Sequence, residues 1–193
     1  MIEAFQNAKL ALEAFMADDR NVTTLERAAD LAAASLREGG KVLACGNGGS
    51  ACDAMHFCEE LTGRFRKDRP ALAAVSLTDV GHITCVANDY GYDEVFARGV
   101  QALGKSGDVL VAMSTSGNSP NVIRAVEEAG KIGMRTIGLL GRDGGALAGV
   151  CDLEWIIPGV PIDAPTADRI QEVHMLILHA LVEGVERRLF GRS

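Results

Sequence analysis

"KVLACGNGGSACDAMHFCEE", residues 41–60, decides how the rest of the chain is read. The apolar run Lys41 to Cys45 has the make-up of a buried strand, Gly46 to Ser50 that of a tight turn, and Ala51 onward that of a helix. Gly46-Asn47-Gly48-Gly49-Ser50-Ala51 fits the loose G-x-G-x-x-G/A pattern of a dinucleotide seat, which also needs an acidic ribose ligand after the next strand. Asp79, in "SLTDVGH", stands at that place. The helix argues for a different ligand. His56 and Glu60 are four apart, so they share one face a turn from each other, ~5.4 Å along the axis. A dinucleotide seat has no use for them.

Outward from this unit, strand-like and helix-like segments alternate: "ALAAVSL", a helix near Glu94 to Leu103, "DVLVAMS", "PNVIRAVEEAGKIG", "RTIGLLG", a short "GALAGV", "DLEWIIP", and a last helix from about Asp168 to Leu189. That order implies an α/β fold, a parallel sheet with helices on both faces and ligands at the carboxyl ends of its strands. Two helices precede the first strand. Ile2, Phe5, Leu12, Phe15 and Met16 form an apolar stripe on the first, and Thr23 with Glu26 reads as a capping box for the second, which stops at Gly39-Gly40. The stripe needs a partner, either another subunit or the chain's own domain.

The loop after the third strand, "STSGNSPN" (residues 114–121), surrounds Gly117 with hydroxyl and amide side chains and puts Pro120 at a helix start. Hydroxyls and free backbone N–H groups at the positive end of a helix suit a phosphate monoester. The loop has no Gly-Lys-Ser/Thr ending, which argues against a nucleotide P-loop. The blander reading is that Ser119 only caps the helix. In the last helix Gln171 and His179 are eight apart, about 80° round and ~12 Å along, on one side of an otherwise apolar segment. A long apolar helix does not ordinarily bury such groups unpaired, so a common ligand is expected.

Composition narrows the function classes. With 193 residues and a net charge of -7, the chain suits one domain and lacks the clustered Lys and Arg of a broad nucleic-acid surface. Five cysteines without a C-x-x-C pair fit a reducing compartment, and no run approaches the ~20 apolar residues of a membrane span. The expectation is a soluble cytoplasmic protein with no nucleic-acid or membrane partner. Cys45, Cys52 and Cys58 are read as buried small apolar groups, and Arg64, Arg66, Lys67 and Arg69 as a solvated basic loop in which Arg64 is best placed to assist a phosphate. His82 and His174 receive no role.

Four segments, "GNGGSACDAMHFCEELTGRFRKDRP", "VANDYGYDEVFARGVQALGKSGDVL", "STSGNSPNVIRAVEEAGKIGM" and "ADRIQEVHMLILH", together resemble the phosphoheptose isomerase family, the sedoheptulose 7-phosphate isomerases of the sugar isomerase (SIS) superfamily. The resemblance spans nearly the whole chain. It implies a three-layer, flavodoxin-like α/β/α sandwich forming a single SIS domain over residues 1–193, with residues 1–38 as a helical extension used in assembling a homotetramer. It further implies conversion of sedoheptulose 7-phosphate to D-glycero-D-manno-heptose 7-phosphate, the entry to ADP-heptose and the lipopolysaccharide core in bacteria. Asn47, Gly48, Gly49, Asn88 and Asp89 become substrate contacts, and Ser114, Thr115, Ser116 and Ser119 take the phosphate. His56, Glu60, Gln171 and His179 correspond to zinc-binding and catalytic positions, one ion per subunit, with Glu60 and Gln171 also facing substrate and no nucleotide cofactor. One departure is a longer connection, "GVPIDAPT", before Ala167, which leaves the place of Asp168 open.

The chemistry matches these groups. Ketose–aldose interconversion moves a proton between C1 and C2 through an enediol, so a base is needed beside a stabilised oxyanion. Glu60 is the expected base, with His179 moving protons at the sugar oxygens. Two alternatives remain: a non-catalytic SIS scaffold that binds a replication initiator, and an isomerase of another ketose phosphate.

Overall fold

The computed structural model describes residues 2–160 and 166–191. Its elements run α1 (Ile2–Met16), α2 (Asp19–Arg37), β1 (Val42–Gly46), α3 (Gly49–Thr62), β2 (Ala74–Ser76), α4 (Val80–Asp89), α5 (Val95–Leu103), β3 (Val109–Ser114), α6 (Pro120–Ile132), β4 (Arg135–Gly141), β5 (Leu153–Ile157) and α7 (Ala167–Phe190). All strand pairs are parallel, in the order β2-β1-β3-β4-β5. This is the doubly wound, flavodoxin-like order, whose switch point lies between β1 and β3. The expected α/β class and three-layer sandwich are what the chain forms.

Side-chain alternation along the central strands explains the layers. Val42, Ala44, Val109, Val111 and Met113 face one core, shared with α1, α2, α3 and α7; Leu43, Cys45, Leu110 and Ala112 face the other, shared with α4, α5 and α6. Every residue of β1 and β3 is buried, as strands covered on both faces must be. The Trp155 indole of β5 donates to the Asn21 carbonyl, pinning α2 to the sheet edge.

Three local expectations change. Helix α2 starts at Asp19, with Asp18 accepting from the Arg20 N–H; Thr23, expected in a capping box, lies inside the helix and back-bonds to the Asp19 carbonyl. Helix α4 was not visible as a helix, because it is short and buries only Val86 fully. Its start explains Asp79, whose Oδ1 accepts from the His82 N–H at 2.7 Å as an N-cap. Cys52, expected buried, is exposed, whereas Cys45 and Cys58 are buried and their thiols are pushed up to about 12 by that burial. Of the long connection before Ala167, residues 161–165 lie outside the described residues. No helix among the described residues is long and apolar enough to cross a membrane.

Helix α1 buries only Ala11 and leaves Ile2, Phe5, Leu10 and Met16 exposed. It leans on the chain's own α2 and α7 without covering its apolar stripe.

The two histidines without an assigned role are structural. His82 bonds through Nε2 to the Val95 carbonyl, joining α4 to α5, and His174 donates from Nε2 to the Leu140 carbonyl at 3.0 Å, fastening α7 to β4. His174 is wholly buried and its Nδ1 has no partner among the described residues; burial pushes the imidazole down to about 4. Its folded pKa thus lies below the unfolded value of about 6.5, so stability present above that pH is lost as pH falls toward the folded pKa. Between pH 7 and 5 this linkage is expected to remove about 2 kcal/mol from wild type and far less from His174→Gln. Urea unfolding of both at the two pH values checks it; equal losses would sink the assignment.

Candidate functional site

Two loops meet at the switch point. The first opens α3: Gly48 has φ +56°, a backbone region that L side chains rarely adopt, and a Cβ on Gly49 would stand 2.6 Å from the Gln171 amide oxygen. Gln171 also donates to Ser50 Oγ at 3.3 Å, so this side chain of α7 rests directly on the glycine loop. The second loop opens α6. Ser119 makes no capping bond through its side chain; its hydroxyl instead stands 3.1 Å from that of Ser114.

An amide pair joins the loops. Asn47 Nδ2 donates to Asn121 Oδ1 at 2.8 Å and Asn121 Nδ2 returns the bond to Asn47 Oδ1 at 2.9 Å; the Tyr92 hydroxyl adds a third bond to Asn47 at 3.0 Å. Asn121 is buried, which makes this reciprocal pair a fixed spacer. Neither Asn121 nor Tyr92 was picked out from the sequence, where an asparagine one residue into a helix reads as part of the phosphate loop.

Thr115 and Ser116 share the second loop, with Ser116 Oγ accepting from the Asn118 N–H. Behind it, Asn118 accepts from the Ala146 N–H at 2.9 Å and Leu147 donates to the Gly117 carbonyl, so the turn near Gly144 clamps the loop. Asn88 and Asp89 are exposed at the end of α4. Among the described residues, Asn88 bonds only to Asp89, and Asp89 otherwise meets only Cys85.

Two turns along α3 lies the second centre. His56 Nε2 stands 3.2 Å from His179 Nε2 and 3.3 Å from Glu60 Oε1, and His179 Nε2 is 3.5 Å from the same oxygen. The three ligand atoms all lie within 4.8 Å of one another and can hold a metal ion. Glu60 is 7% exposed, and its Oε2 has no partner among the described residues. Burial raises the carboxyl above its usual range, while His179 and His56 pull it back down. The other His56 ring nitrogen faces Glu59 Oε1 at 3.5 Å, the carboxylate-behind-imidazole pattern that fixes a ligating ring. Phe65 stacks on His179 at 5.9 Å.

Asp53, one turn before His56, was also missed. Burial pushes its carboxyl up to about 6 against the opposing pull of His56. Nor is the basic loop simply solvated: Arg66 pairs with Glu183, and the Arg69 side chain is 5% exposed.

A SIS domain model matches residues 5–141. The chain is 53% identical over 193 residues to the phosphoheptose isomerase of Fusobacterium nucleatum, an alignment covering 100% of this chain and 97% of that one. Among solved structures it is similar to a phosphoheptose isomerase from Francisella tularensis, with TM-score 0.88, 38% identity and coverage of 96% and 95% of the two chains. It is likewise similar to the phosphoheptose isomerase from Neisseria gonorrhoeae, with TM-score 0.81, 43% identity and coverage of 96% and 94%.

The clamp on the second loop is directly testable. Gly117 has φ +65°, and a Cβ there would lie 1.8 Å from the Gly144 carbonyl oxygen. Gly117→Ala is expected to cost about 1–3 kcal/mol from backbone strain, with the steric clash adding to it. Urea unfolding and amide exchange at Ala146 and Leu147 check this; an unshifted midpoint would contradict it.

Proposed function

Because this chain belongs to the phosphoheptose isomerase family of SIS-domain proteins, we propose that it interconverts sedoheptulose 7-phosphate and D-glycero-D-manno-heptose 7-phosphate. The observation that carries this reading is the convergence of Glu60 and His56, on the helix that starts at the glycine loop, with His179 of α7. In this reading the phosphate sits on Ser114, Thr115, Ser116 and Ser119 at the start of α6. Asn47, Gly48, Gly49 and Gln171 line the sugar, joined by Asn88 and Asp89. The product feeds ADP-heptose and lipopolysaccharide core synthesis in the cytoplasm.

Glu60 takes the proton from C1 of the ketose and returns it at C2. Its Oε2, without a hydrogen-bond partner among the described residues, leaves one oxygen open, as a base requires. His179 carries the matching proton between the sugar oxygens O1 and O2. The metal in this reading is zinc, one ion per subunit, held by His56, Glu60 and His179; Gln171, the fourth protein ligand of this reading, rests on Gly49 and Ser50 and would turn from them to reach it. The three converging donors fit. Ligand atoms on a tetrahedral zinc with bonds of about 2.0–2.1 Å stand about 3.3–3.4 Å apart, and the three separations here are 3.2, 3.3 and 3.5 Å. Bound there, zinc would act as a Lewis acid on the sugar carbonyl. The exposed stripe on α1 supports assembly through residues 1–38, in this reading as a homotetramer.

An NMR time course with sedoheptulose 7-phosphate is expected to show the aldose product. Glu60→Gln should lower kcat by about 10²–10⁴-fold while sugar phosphate binding persists. An inert mixture with folded, zinc-loaded protein would refute the activity and favour a scaffold.

Removing the metal with a chelator should abolish turnover, and zinc should restore it. His56→Ala is expected to weaken zinc binding in a competition titration; unchanged affinity would remove His56 from the ligand set.

A further inference from the structure

Arg69 ends the loop that follows α3, and its guanidinium is buried rather than solvated. Nε donates to Glu186 Oε1 at 2.7 Å, one terminal nitrogen donates to the carbonyls of Leu61, Gly63 and Pro70, and the other donates to the carbonyl of Glu60 at 2.5 Å. A buried charge is tolerated when it is paired and hydrogen-bonded, and this one is paired with Glu186 and bonded through all three of its nitrogens. The Glu60 and Leu61 carbonyls belong to the last turn of α3, the negative end of its dipole, which suits a cation there.

The partners are what matter. Glu186 lies seven residues, about two turns, beyond His179 on α7. The Glu60 carbonyl belongs to the residue whose carboxylate faces His179 at 3.5 Å. One rigid fork therefore fastens the backbone of Glu60 to the helix that carries its opposite number. The same loop touches His179 from outside through Phe65, over which Arg66 lies at 4.7 Å while pairing with Glu183 of α7.

We propose that Arg69, together with Glu186, is a positioning residue pair that holds Glu60 and His179 at metal-ligand distance. It touches neither ion nor sugar and acts through the two side chains it spaces. Capping α3 needs only its terminal carbonyls; the bond to Glu186 further ties that helix end to α7. The proposal rests on the metal reading given above.

The test compares Arg69→Lys and the isosteric Glu186→Gln with Arg188→Lys, a control whose arginine braces α7 against Glu26 and Asp30 of α2. Zinc affinity is measured by chelator competition, alongside urea midpoints, kcat and KM. Loss of the fork should weaken zinc binding about tenfold or more, and lower kcat with KM little changed. Arg188→Lys should lose stability without either effect. Folded Arg69→Lys and Glu186→Gln proteins with wild-type zinc affinity and kcat would overturn the proposal, as would equal zinc losses in Arg188→Lys. If neither test variant folds, the pair serves stability alone and the proposal also fails. Wild type that binds zinc without isomerising the sugar would sink the function reading and leave the brace measurable. Wild type with no zinc affinity would sink both.

Discussion

The site depends on the register of two parallel helices. Gln171 meets Gly49 and Ser50, His179 meets His56 and Glu60, and Glu186 meets Arg69 at the end of α3, so α7 carries a polar rung every seven or eight residues. Each rung points to the same helix because eight residues advance only about 80° past two whole turns and seven fall only about 20° short of them. Between the rungs, Ile170, Val173, Ile177, Leu178, Leu181, Val182 and Val185 share a core with Ala54, Phe57, Cys58 and Leu61. Close-packed apolar side chains resist sliding, and each polar rung loses its partner if the helices slip by one residue. The apolar contacts supply cohesion; the polar rungs select one register.

The sheet supplies the second coordinate. At the switch point β1 and β3 send their following helices to opposite faces, which opens a crevice between the glycine loop and the hydroxyl loop. The Asn47–Asn121 amide pair spans that crevice with two reciprocal bonds, so the distance between the loops is set before any ligand arrives. Because Asn47 belongs to the turn that starts α3, the same pair places α3 relative to α6. The register between α3 and α7 then carries that placement two turns further, to His56 and Glu60.

What the sequence disclosed follows from range. His56 and Glu60 were legible because four-residue spacing on a helix is local geometry, and Gln171 with His179 because polar groups stand out in an apolar run. The Ser114 to Ser119 loop was legible from its chemistry. Helix α4 was not, since it buries one residue and its strongest signal, Asp79, also suited a ribose ligand. Arg69 was misread for the opposite reason: nothing within the "RFRKDRP" stretch distinguishes it from its exposed basic neighbours Arg64, Arg66 and Lys67, and its burial is decided by Glu186, 117 residues away. Asn121 and Tyr92 likewise acquire meaning only through Asn47. Local pattern shows which groups are unusual; the partner that explains each one is a property of topology.

The placement of charge follows the same logic. In the proposed function Glu60 faces opposed demands: burial disfavours its ionised form, while a base and a cation ligand must be ionised. A guanidinium on its carboxylate would satisfy that charge and compete with any cation for the same oxygens. Arg69 comes as near as the Glu60 carbonyl, but its charge is matched by Glu186 and both terminal nitrogens turn to carbonyl oxygens. Among the described residues the carboxylate therefore meets only the two imidazoles, which are neutral when they ligate a metal. Its ionisation is then governed by what sits between those imidazoles, and a divalent ion bound there would reverse the effect of burial. A fold that delivers a fixed backbone and an unneutralised side chain at one residue can keep a buried carboxylate both immobile and reactive.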